Sequence, residues 1–204
     1  MKRFFIILLS CLAVALAAVA QTPAAMLDKC AAAINSRGGT TASYSITSKD
    51  GSSTGTISMQ GKKFRIISRE AKSWYDGKTL WAWSPMTGEV NITTPTQSEL
   101  QMTNPIAAVQ YFKTGFNMKK AKAKTPNTYA IQLKPKKKGA DNIQMLWLYI
   151  DTKTSMLRTA RFEMTDKSVY IVKITGYKNQ QLPSSTFTFN KSQVPAGTQV
   201  VDLR

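Results

Sequence analysis

The side chains that could do chemistry are few in this chain of 204 residues: two cysteines, eleven carboxylates, and 28 lysines and arginines, with no histidine. Without imidazole, the usual Ser-His-Asp and Cys-His nucleophilic arrangements are excluded, as are imidazole-bound zinc, copper and haem. The carboxylates fall where turns and caps need them. Asp50, Asp76, Asp141 and Asp151 stand at turn positions, Glu99 completes a Thr-x-x-Glu capping pattern, and Glu163 and Asp166 flank one connection. No pair of them has a spacing that assigns general acid and base roles. The chain is therefore read as a protein that is not an enzyme and holds neither metal nor cofactor.

Positive charge is the dominant electrostatic feature, at a formal +17. Between Glu99 and Asp141 there is no acid, while Lys113, Lys119, Lys120, Lys122, Lys124, Lys134, Lys136, Lys137 and Lys138 accumulate. If the segments 116–122 and 128–134 pair as a hairpin, these lysines gather along one sheet edge. One reading is an edge strand protected from aggregation. The other is a docking surface for anionic headgroups or an acidic partner, with Lys119, Lys120, Lys122, Lys134, Lys136, Lys137 and Lys138 as its contacts.

The elements that position these residues begin after a leader. Lys2 and Arg3 precede an uncharged apolar stretch from Phe4 to Ala18, and Ala18-Val19-Ala20 supplies a small-x-small cleavage pattern. We expect a signal peptide over 1–20, cut after Ala20, and a single domain over 21–204 in the periplasm. An uncleaved anchor, or lipidation at Cys11 within Leu8-Leu9-Ser10-Cys11, is the alternative reading. Cleavage leaves Cys30 without a partner, so the domain stands on its core alone. Export and the lack of any recognised binding motif argue against nucleic acid.

Thr22, Pro23 and the spacing of Leu27, Cys30, Ala31 and Ile34 predict a helix that ends before Gly38-Gly39. From Thr40 the apolar period becomes two, with a two-residue hairpin signal at Asp76-Gly77. Thr96-Gln97-Ser98-Glu99 and Asn104-Pro105 predict two short helices over 97–102 and 105–112. Strands then resume at 116–122, 128–134, 145–151, 156–164 and 168–175, and finally at 186–190 and 200–203. The fold class is α+β, with about ten or eleven antiparallel strands that must curl, because twist accumulates in so wide a sheet.

Leu80-Trp81-Ala82-Trp83 and Met145-Leu146-Trp147-Leu148-Tyr149-Ile150 are apolar on both faces, so something apolar is expected to cover each side. A curled sheet wrapped around an apolar cavity under the helices satisfies this. The candidate lining is Leu27, Ile34, Tyr44, Ile46, Phe64, Ile66, Trp81, Trp83, Ile106, Val109 and Phe112.

Two motifs carry a family resemblance. Asp76-Gly77-Lys78-Thr79-Leu80-Trp81, with Trp83 and Pro85 after it, resembles the hairpin of the periplasmic lipoprotein carriers of the LolA type. Phe187-Thr188-Phe189 with Pro195-x-Gly197 and Val200-Val201-Asp202 is similar to that family's C-terminal signature, and we expect the two motifs at opposite ends of the sheet. The resemblance implies an incomplete antiparallel barrel of about eleven strands, lidded by short helices, that holds lipoprotein acyl chains. It places Phe64 and Ile66 on a cavity strand and Ile106 and Val109 on a lid helix. The implied partners are acylated lipoprotein cargo, an inner-membrane lipoprotein-releasing transporter and an outer-membrane acceptor, met by a monomer. A lipid-binding envelope-stress sensor and a lipid-anchored lipoprotein receptor are alternatives on the same fold. Where the family has a lid-latching arginine in a Lys-Arg-Pro turn, this sequence reads Gln60-Gly61-Lys62-Lys63.

Overall fold

Alternating apolar residues from Thr40 onward build one continuous sheet, and the order of its strands follows from two meanders. The first comprises β1 (Thr40–Ser48), β2 (Gly51–Gln60), β3 (Lys63–Ser68), β4 (Lys72–Tyr75), β5 (Leu80–Ser84) and β6 (Glu89–Thr93). The second comprises β7 (Phe116–Ala121), β8 (Thr128–Pro135), β9 (Ile143–Asp151), β10 (Leu157–Met164) and β11 (Val169–Asn179), and β12 (Gln199–Asp202) closes the chain. Strands β1 and β11 pair in the middle, giving the order β12-β6-β5-β4-β3-β2-β1-β11-β10-β9-β8-β7. The sheet is large and unclosed. The computed structural model describes residues 21–204 except Met102, and not the side chains of Pro105, Ile106 and Ala140. The expected signal peptide over 1–20 and the alternative at Cys11 lie outside the described residues.

Among the described residues three α-helices accompany the sheet: α1 (Pro23–Ile34), α2 (Gln97–Leu100) and α3 (Pro105–Gly115). Thr22 Oγ1 accepts from Ala25 N at 3.2 Å to cap α1. At its other end the Ile34 carbonyl takes the Thr40 hydroxyl at 2.6 Å, and the Ala33 carbonyl takes Asn179 Nδ2 at 3.0 Å. These bonds satisfy carbonyls that a helix end otherwise leaves bare, and they fix α1 to the β1–β11 seam. Thr96 and Glu99 form the expected capping box on α2. The core lies between α1, α3 and one sheet face. Met26, Leu27, Cys30, Ile34, Val109 and Phe112 from the helices meet Met59, Phe64, Tyr75, Ile131, Leu133, Leu146, Leu148 and Ile150 from the strands.

Four expectations about the sheet are corrected. One of its twelve strands is not antiparallel: β12 pairs parallel with β6, because the chain returns along the sheet's edge instead of reversing in a hairpin. Residues 186–190 are not a strand; 3-10 turns at Ser184–Phe187 and Lys191–Gln193 occupy this region, and Phe187 is fully buried. The Asp76-Gly77 loop holds four residues, since Tyr75 pairs with Leu80. Asp76 Oδ1 accepts from Lys78 N at 2.9 Å and Thr79 N at 2.8 Å, an Asx turn with Gly77 at φ 104. Finally, the two family-like motifs lie together: β12 borders β6, and Phe189 packs against Trp74 with centroids 5.4 Å apart and ring planes tilted by 59°.

The second sheet face is thus only half covered. The C-terminal segment lies over β3 and β4, strapped by Phe187 and by Lys72 Nζ donating to the Gln193 carbonyl at 2.7 Å. Over β9 the expected apolar cover is missing among the described residues; the Arg161 guanidinium sits on the Trp147 ring at 4.9 Å instead.

Candidate functional site

The side chains that alternate onto the helix-covered face enclose a cavity of about 310 Å³. Its floor comes from strands β1–β3 and β9–β11: Tyr44 and Ile46 on β1, Ile57 and Met59 on β2, Ile66 on β3, Leu148 and Ile150 on β9, Leu157, Ala160 and Phe162 on β10, and Val172, Ile174 and Tyr177 on β11. Its roof is Leu27, Cys30 and Ile34 of α1 with Ala108, Val109 and Phe112 of α3, and Thr103 lies at the rim. The volume is at the low end for a small-molecule site. The few polar side-chain atoms, on Tyr44, Tyr177, Cys30 and Thr103, leave little to hydrogen-bond a polar ligand.

Seven of the residues singled out in the sequence come together here: Leu27, Ile34, Tyr44, Ile46, Ile66, Val109 and Phe112. Phe64 shares their face but packs on Tyr75 at 5.3 Å, buried beside the cavity and not lining it. The side chain of Ile106 lies outside the described residues. Trp81 and Trp83 are corrected. Trp81 pairs with Trp74 across β4 and β5, which puts both β5 tryptophans on the outer face, where Lys72 Nζ lies 5.0 Å from the Trp83 ring. Strand parity could have shown this, because Phe64 pairs with Tyr75 and Tyr75 with Leu80, so Leu80 and not Trp81 faces inward. The same parity would have added Ile57, Met59, Leu148, Ile150, Val172 and Ile174.

Two titratable groups in the wall are kept neutral. Burial pushes the Cys30 thiol from 9.0 to about 11, and burial, with the neighbouring Cys30, raises the Tyr177 phenol. A thiol whose folded pKa is raised contributes stability that is complete below about pH 9 and lost as the pH climbs to 11. Two units correspond to about 2–3 kcal/mol. Cys30→Ala should therefore lose about 2 kcal/mol less than the parent between pH 8 and pH 11, measured as denaturant unfolding at each pH.

The lysines gather as the sheet topology requires. β7 is the sheet edge and pairs with β8, so Lys119, Lys120 and Lys122 run along that edge with Lys134 on the neighbouring strand. Lys136, Lys137 and Lys138 follow in the loop, where Lys136 Nζ donates to the Thr114 carbonyl at the end of α3 at 2.8 Å. All seven are exposed. Among the described residues no three His, Cys, Asp or Glu side chains come together as a metal site would need.

Comparison with known proteins fits this geometry. The family model described as outer membrane lipoprotein carrier protein LolA matches residues 13–167, most of the chain. The chain belongs to the LolA family. That membership supports a lipid- or lipoprotein-binding role. Among solved structures, an uncharacterized conserved protein from Thermus thermophilus aligns with a TM-score of 0.59 at 12% identity, covering 87% of this chain and 96% of that one. It shares the fold. A LolA superfamily protein from Nitrosomonas europaea aligns at 0.43, with 13% identity over 82% and 98% of the two chains. The MucA/MucB complex of Pseudomonas aeruginosa aligns at 0.45, with 12% identity over 85% and 60%. Both scores are too low to add to the fold argument. No curated protein matches the sequence.

In this LolA-family chain the turn that lacks an arginine is clasped through its backbone. Asn104, which caps α3 by accepting from Ala107 N at 3.3 Å, donates its Nδ2 to the Lys62 carbonyl at 2.7 Å. From the other side, Asn35 at the end of α1 accepts from Gly61 N at 2.9 Å. One amide thus ties the start of α3 to the rim of the sheet. Asn104→Ala should destabilise α3 by about 1–2 kcal/mol and speed alkylation of Cys30 on the neighbouring α1. Asn104→Asp, which keeps the cap and loses the donor, should speed alkylation while leaving helix content unchanged by circular dichroism.

Proposed function

We propose that the protein is a periplasmic carrier that takes the acyl chains of a lipoprotein into this cavity and ferries it towards the outer membrane. The observation that carries the reading is a wall and roof built almost wholly of apolar side chains beneath α1 and α3. Each buried methylene contributes about 0.8 kcal/mol, so a chain of about 14 methylenes costs on the order of 11 kcal/mol to expose to water. A protein carrying such cargo through water must enclose it. The cavity enlarges when α3 lifts from the rim, and α1, fixed to the β1–β11 seam, stays as the immobile part of the roof.

Dissociation into water is opposed by the same free energy, so loading and release require direct transfer between apolar sites on partner proteins. An inner-membrane transporter supplies the cargo and an outer-membrane acceptor takes it, with the lysine-rich β7 edge as the surface that meets an acidic partner or headgroups. The work is done by a monomer without catalysis or cofactor.

The test is size-exclusion chromatography of the purified domain with a diacylated lipopeptide and with the same peptide deacylated. Co-elution of the acylated form alone, at one per protein, is expected. Equal retention of both, or of neither, contradicts the reading. Tryptophan fluorescence is a poor reporter here, since none of the four tryptophans lines the cavity.

A further inference from the structure

The wall between β10 and β11 contains a seam. Their ladder ends at Thr159 and Lys173, after which β10 continues along β9 and β11 continues along β1, where the register shifts and Gly176 adopts φ +64. The two strands splay, and the Tyr177 hydroxyl bridges them by donating to the Leu157 carbonyl at 2.7 Å. Outside the seam lies a groove of about 370 Å³ that shares two of its lining residues, Ile174 and Tyr177, with the apolar cavity. Tyr177 is therefore a plug between the cavity and the outer face.

The outer rim of this seam carries Lys173, Arg158 and Asp151, which leaves one positive charge in excess. Lys173 is exposed and its ammonium makes no ion pair or hydrogen bond among the described residues, while Arg158 pairs with Asp151. Asp151 is also engaged by the backbone N–H groups of Lys153 at 2.7 Å and Thr154 at 3.0 Å, so its charge is spent locally. An apolar chamber that opens past one phenol onto a lysine and an arginine has the polarity of an amphiphile with an anionic head.

We propose that the seam is a lateral window through which a single-chain amphiphile lies with its tail in the cavity and its anionic head, carboxylate or phosphate, at Lys173 and Arg158. This ligand class differs from lipoprotein cargo but rests on the reading of the cavity as an acyl-chain site. Tyr177 swings aside to admit it, exchanging the bond to the Leu157 carbonyl for one to the head.

The experiment measures displacement of N-phenylnaphthylamine from the purified domain by palmitate, palmitoyl lysophosphatidate and neutral monopalmitoylglycerol. Lys173→Glu leaves the Arg158–Asp151 pair intact, and Lys62→Glu changes charge at the lid rim as a control. Lys173→Glu should weaken palmitate and lysophosphatidate about tenfold while the glycerol ester stays within about twofold. Lys62→Glu should change none of them. An effect confined to one anion assigns the head to carboxylate or to phosphate. Loss of neutral and anionic ligands alike, no change on Lys173→Glu, or sensitivity to Lys62→Glu instead overturns the window. If monopalmitoylglycerol fails to bind the parent protein, the acyl-chain reading itself falls, and the window with it.

Discussion

Ala160→Trp should weaken acyl-chain binding by roughly two to three orders of magnitude while leaving the domain folded. Ala160 stands on β10 between Val172 and Leu148, its side chain buried and lining the floor beneath α1 and α3. An indole at this point grows into the 310 Å³ of open space rather than into packed core. Enlarging a tight core costs about 1–3 kcal/mol, and here the space lowers that cost. On the ligand side the effect is large. Excluding four or five methylenes removes about 3–4 kcal/mol, which weakens binding by roughly two to three orders of magnitude. Isothermal titration with a diacylated lipopeptide checks the affinity, and denaturant unfolding checks that stability falls by no more than about 3 kcal/mol.

Phe187→Ala should do the reverse. Phe187 is completely buried on the outer face, where it holds the C-terminal segment against β3 and β4 beside the Trp74–Phe189 pair. Truncating a fully buried phenylalanine costs about 3–5 kcal/mol. The loss falls on the strap. Its release uncovers Trp74, Trp81 and Trp83, an apolar patch expected to promote association. We expect a red-shifted tryptophan emission, a large drop in unfolding free energy and concentration-dependent aggregation, with acyl-chain affinity of the folded fraction within about twofold of the parent. The two variants thus separate the inner face, proposed to take acyl chains, from the outer face, which the C-terminal segment stabilises.

How much of this was legible in the sequence depended on whether a feature is written locally. Thr22 and Pro23, the Thr96–Glu99 box and Asn104-Pro105 fixed the helix starts because caps are short-range chemistry. Period-two alternation likewise marked the eleven antiparallel strands. What it leaves open is which parity faces inward on a strand that is apolar on both sides, and Trp81 and Trp83 were misassigned there. Pairing fixes that parity, and pairing joins residues distant in sequence. The parallel return of β12 and the 3-10 turns around Phe187 escaped for the same reason: an apolar Phe-Thr-Phe run reads as a strand, whereas its burial against Trp74 is tertiary. The clasp was invisible from the sequence because its acceptor is the backbone of Lys62, not a side chain.

On the function proposed, acyl chains lie against the inner face, under α3. A diacylated lipopeptide carrying a diazirine midway along one acyl chain, photolysed in complex with the domain and mapped by mass spectrometry, tests it directly. Adducts are expected on the inward residues of β2–β3 and β9–β11, such as Ile57, Ile66, Leu148 and Ile174, and should disappear in Ala160→Trp. Adducts concentrated on Trp81, Trp83 or Trp147 of the outer face, or unchanged by Ala160→Trp, would contradict it.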